Sequence, residues 1–71
     1  MYNENEQRLK MIKMRIKSYK DMVKINNETA EKLLNMDALI EAKIYIEQAK
    51  TLNMVIEDLE FLLWFMKLMV K

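Results

Sequence analysis

Residues 38–70, ALIEAKIYIEQAKTLNMVIEDLEFLLWFMKLMV, decide the fold class. Ala38, Ala42, Tyr45, Ala49, Leu52, Ile56, Leu59, Leu63, Met66 and Val70 follow one another at gaps of 4, 3, 4, 3, 4, 3, 4, 3 and 4. Alternation of three and four keeps every one of these side chains on one side of an α-helix, which is the spacing of a coiled-coil seam. A half-buried strand would alternate with a period of two, and this stretch does not. The phase passes unbroken through Thr51-Leu52-Asn53, so the pattern predicts one long helix from about 28 to 70. At 1.5 Å per residue it would run ~65 Å.

Upstream, Leu9, Ile12, Ile16, Tyr19 and Val23 repeat the 3-4 spacing and predict a first helix over about 4–25, some 33 Å long. Asn26-Asn27 is the expected reversal, because asparagine is a weak helix former that accepts turn conformations. Asn27 would cap the second helix, and Glu28 and Glu31 would sit at the positive end of its dipole. The resulting hairpin is lopsided. Folding back from residue 26, the short helix reaches only to about residue 50, which leaves the apolar end of the long helix without a partner in the chain.

The fold class expected is therefore all-α, a single domain over residues 1–71 in which a helical hairpin self-associates. An antiparallel homodimer forming a four-helix bundle would use Ala42, Tyr45, Ala49, Leu52, Ile56, Leu59, Leu63 and Met66 as its oligomer seam. Secondary stripes support this layout: Met11, Met14, Met22 and Ile25 on the first helix, and Leu33, Met36, Ile40 and Ile44 on the second. If those stripes pack together, the alanine side is left free for close approach across the dimer. Two other layouts are open. A break at Thr51–Asn53 would make a monomeric three-helix bundle, and helix continuing through Asn26-Asn27 would make one rod, with the first seam extended through Ala30, Leu33, Ile40 and Ile44.

Composition removes most site chemistry. The 71 residues include no Gly, Pro, Cys or His. Without glycine there is no phosphate loop or dinucleotide fingerprint. Without Cys or His there is no disulfide, no thiolate or imidazole ligand for zinc, and no Ser–His or Cys–His nucleophile pair. The acids (Glu57, Asp58 and Glu60; Glu28 and Glu31; Asp37 and Glu41) lie off the seam, and Ser18, Tyr45 and Thr51 have no base beside them. No catalytic, metal-binding or cofactor-binding residue is expected, and the chain is read as a non-enzyme.

Two surface features remain. Phe61, Trp64, Phe65 and Leu68, at i, i+3, i+4 and i+7, form an apolar stripe on a different side of the same helix as the seam and are the expected protein interface. Lys10, Lys13, Lys17, Lys20 and Lys24 form a basic stripe on the first helix, and residues 7–25 carry +6 against −3 for residues 28–71, although the whole chain is only +1. Within the expected hairpin Lys24 would lie near Glu28, Lys17 near Asp37 and Lys13 near Glu41. A lysine stripe ~21 Å long can also follow phosphates without reading sequence.

The expected function is a small protein–protein interaction module, a regulator or inhibitor that binds another protein and acts as a helical homo-oligomer. The short, Lys-, Asn-, Ile- and Met-rich chain fits a phage or mobile-element product. The second reading is a nucleic-acid-binding or transcription-related module using the lysine stripe. A membrane partner is not expected: Lys67 interrupts the C-terminal apolar run and acids precede it. With no cysteine and no basic-then-apolar leader in MYNENEQRLK, a cytoplasmic location is expected.

Overall fold

A computed structural model describes residues 4–69. Helix α1 spans Glu4–Asn35 and helix α2 spans Leu39–Met69, and the two pack against each other as an antiparallel hairpin with no strand among the described residues. Seam position Val70 lies outside the described residues.

The reversal is at Met36-Asp37-Ala38, ten residues later than Asn26-Asn27. Asn26, Asn27, Glu28 and Glu31 lie inside α1, so Asn27 caps nothing and the two glutamates occupy no first turn. Asparagine in a helix interior costs only about 0.7 kcal/mol relative to alanine, and continuing the helix brings Ala30 and Leu33 onto the seam. Ala30 is buried and Leu33 half-buried as a result. Tertiary packing of one helix face outweighs two weak local preferences.

With the turn at 36–38 the hairpin is balanced. Along α1 the residues turned from solvent include Leu9, Ile12, Ile16, Tyr19, Val23, Asn26, Ala30 and Leu33, and along α2 they include Ala42, Tyr45, Ala49, Leu52, Ile56, Leu59, Leu63 and Met66. Those are the two 3-4 series, with eight positions facing eight. The second series, expected as an oligomer seam, therefore packs on α1 of its own chain, and the C-terminal part of α2 does have a partner there. The alanine side is not free: Ala42 is 0% and Ala49 4% exposed. The methionine stripes are not packed together either, since Met11, Met14, Met22, Ile25, Met36, Ile40 and Ile44 are all exposed. Small side chains on the seam let two backbones approach closely, which makes the alanine series the better inner face.

Helix α2 is continuous across Thr51–Asn53, so no third helix forms. The Thr51 hydroxyl donates to the carbonyl of Glu47 at 3.1 Å, a local bond that satisfies a polar side chain in mid-helix. The rod is likewise not formed. Its seam extension holds through Leu33, but Ile40 and Ile44 follow the turn and point to solvent.

The molecule measures 55 × 19 × 11 Å, so it is one helix layer thick. Its radius of gyration is 16.3 Å, against about 11 Å for a globular domain of this length. The core is correspondingly thin: Ile16, Ala30, Ala42, Ala49 and Ile56 are the buried apolar residues among those described.

Candidate interaction surface

The hairpin has two unlike broad faces. Extending the seven-residue period of each seam puts Lys13 and Lys20 on one flank of the α1 seam and Arg8, Arg15 and Met22 on the other. On α2, Glu60 and Lys67 flank one side and Val55, Leu62 and Met69 the other. Like flanks meet in an antiparallel pair. The side chains follow that rule: Lys20 Nζ lies 4.0 Å from Glu60 Oε2, and Lys13, Ile16, Lys20, Glu60, Leu63, Trp64 and Lys67 line one groove between the helices. On the opposite side Met66 joins two grooves, one with Arg8, Met11, Ile12 and Arg15 and one with Asn5, Leu62, Phe65 and Met69.

The first face is basic. Lys10, Lys13, Lys17, Lys20 and Lys24 are all exposed and keep their expected stripe. Their expected acidic neighbours are different ones, because the later turn changes the register. Lys13 sits beside Glu60 rather than Glu41, Lys17 is mid-helix and far from Asp37 in the turn, and Lys24 and Glu28 are neighbours one turn apart on the same helix. Helix α1 carries +3 over Glu4–Asn35 and α2 carries −2 over Leu39–Met69. Attraction between the two helices thus adds to their apolar packing.

The second face is apolar and was not legible as one surface before the register was known. Met11, Met22 and Ile25 from α1 and Val55, Leu62 and Phe65 from α2 are exposed on it. The heptad positions beside the seams are the signal that identifies them, and the signal has meaning only once it is known which helix each seam faces.

The aromatic stripe lies on the solvent-exposed side of α2. Phe61 is 66% and Trp64 55% exposed, and Phe65 and Leu68 are also open. The Phe61 and Trp64 rings lie 5.8 Å apart at a tilt of 39°, within the favourable range for an aromatic pair. The four residues do not share one face. Trp64 leans into the basic groove and Phe65 into the apolar one.

Among the described residues no three Asp or Glu side chains come together as a metal site, and no helix is long and apolar enough to cross a membrane. Ser18 is exposed and Tyr45 half-buried on the seam. No protein-family model, no curated protein and no solved structure matches the chain.

Proposed function

We propose that this chain is a small, non-enzymatic protein–protein interaction module, a cytoplasmic regulator or inhibitor of the kind encoded by phages and mobile elements, acting as a helical homo-oligomer. One observation carries the reading. After the two seams have satisfied each other, seventeen large apolar side chains among the described residues are still exposed, whereas a monomeric soluble protein rarely shows a contiguous apolar patch beyond a few hundred Å². Phe61 and Trp64, paired on the solvent-exposed side of α2, are aromatic anchors of the type that dominates protein interfaces.

The test uses photo-crosslinking groups placed beside Trp64 in cells expressing the chain. A discrete crosslinked partner, lost in Phe61→Ala/Trp64→Ala while helicity by circular dichroism is retained, is the expected result. No crosslink on this side would remove it as the docking surface.

The exposed lysine stripe favours one second reading, a nucleic-acid-binding module. Fluorescence anisotropy with labelled single- and double-stranded DNA and RNA decides it. Binding that weakens steeply with salt and disappears on charge reversal of Lys13, Lys17 and Lys20 would establish this reading in place of the first.

A further inference from the structure

We infer that the apolar face carrying Met11, Met22, Ile25, Val55, Leu62 and Phe65 closes on the same face of a second copy of this chain, with α1 stacked over α2 of that copy and both turns at the same end. The inference rests on the self-association proposed above and specifies its face and its orientation.

Surface area gives the first argument. The chain exposes 6048 Å², whereas a folded monomer of 8.6 kDa exposes about 4,700 Å². The excess, roughly 1,300 Å² per chain, is larger than the ~800 Å² that each partner loses in a standard interface and falls in the range of obligate homodimers. Helical domains are ordinarily at least two layers deep, because a single layer has nothing to cover its second apolar face. An 11 Å thick hairpin is one layer, and a copy of itself supplies the other.

The face is chosen by its chemistry. The opposite face is lined by Lys13, Lys20 and Lys67 beside a single Glu60, so stacking two copies there would bring cations together in a region closed to water. The apolar face has no such concentration of one charge.

Charge and height then choose the orientation. On the apolar face α1 presents Arg8, Arg15 and Lys32 with one acid, Glu4, while α2 presents Glu41 and Asp58, a balance of +2 against −2. With the turns at the same end each α1 lies over the other copy's α2, so basic residues meet acidic ones twice. With the turns at opposite ends α1 lies over α1 and α2 over α2, and helices of like net charge on this face meet in both pairs. Apolar registration agrees. Met11 shares its groove with Met66, so Met11 stands at the height of the Leu62–Phe65 segment. In the same-end arrangement that segment lies under Met11 of the other copy. In the alternative it would lie over the start of α2, where Ile44 stands among the polar Glu41, Gln48 and Thr51.

Two measurements test this. Light scattering on the full chain over a concentration series should give twice 8.6 kDa, and Leu62→Lys/Phe65→Lys should raise the half-dissociation concentration about tenfold or more. Met22→Lys, on the other helix of the same face, should act in the same direction, while Lys17→Glu on the opposite face should leave the mass unchanged. The chain has no cysteine, so Met36→Cys at the exposed turn accepts a single spin label. The expected label separation is under about 25 Å, two helix layers plus the label arms. A monomer at every concentration would overturn both this inference and the self-association it rests on. A dimer unaffected by Leu62→Lys/Phe65→Lys would overturn the face. A dimer with labels separated by close to the 55 Å length of the hairpin would overturn the orientation alone.

Discussion

The Ala38 amide donates to the carbonyl of Leu33 at 2.8 Å, and both residues also belong to the apolar seams. With the Asp37 amide donating to Leu34 at 3.1 Å, this is the 6→1 and 5→2 pair of a Schellman turn. The same motif ends α1, satisfies its last carbonyls, and delivers the chain to Ala38, whose carbonyl accepts the Ala42 amide at 3.0 Å and so starts α2. Asp37 takes the left-handed position that glycine fills in most such turns, at φ 60°. Aspartate is among the few residues that tolerate it.

Asp37→Gly is expected to stabilise the hairpin by up to about 1 kcal/mol, because the left-handed conformation carries no Cβ penalty for glycine. Asp37→Val should destabilise it by more than that. Thermal melts at fixed protein concentration, since self-association moves the midpoint, check both signs.

At Ala42, 0% exposed on the seam, Ala42→Leu should force the helices apart and cost about 1–3 kcal/mol. Ile40→Ala, two residues away and exposed, should change stability by less than about 0.5 kcal/mol. Equal effects at the two positions, read by urea denaturation, would contradict the placement of the seam.

Asn26 holds a half-buried seam position with polar chemistry. Asn26→Leu should therefore raise stability by about 1 kcal/mol through added apolar burial. It should also loosen the choice of register, which a single polar seam residue restricts. Denaturation gives the first effect; a broadened spin-label distance distribution between the helices reports the second.

The Lys20–Glu60 pair is about half-exposed at both ends. A double-mutant cycle with Lys20→Ala and Glu60→Ala should return a coupling below about 1 kcal/mol that shrinks further with added salt. A larger, salt-insensitive coupling would mean that this face is covered.

Much of the fold could be read from spacing alone. Leu9 to Val23 and Ala38 to Met66 are the two inner faces, and the continuity of α2 through Thr51–Asn53 follows from unbroken phase. The position of the reversal was not legible, since Asn26-Asn27 is the stronger local turn signal and Met36-Asp37-Ala38 contains neither Gly nor Pro. On the surface, the lysine stripe and the Phe61–Leu68 stripe could each be read from one helix. The face shared by Met22 and Leu62 could not, because its members come from both helices.

The sequence by itself determined that this protein is helical and which residues each helix turns inward, since the 3.6-residue period acts on each helix separately and needs no partner. Only the tertiary structure decided which seam meets which and where the chain reverses. Pairing eight seam positions with eight turns both series away from solvent, and that gain in packing is larger than the propensity cost of carrying Asn26 and Asn27 inside a helix.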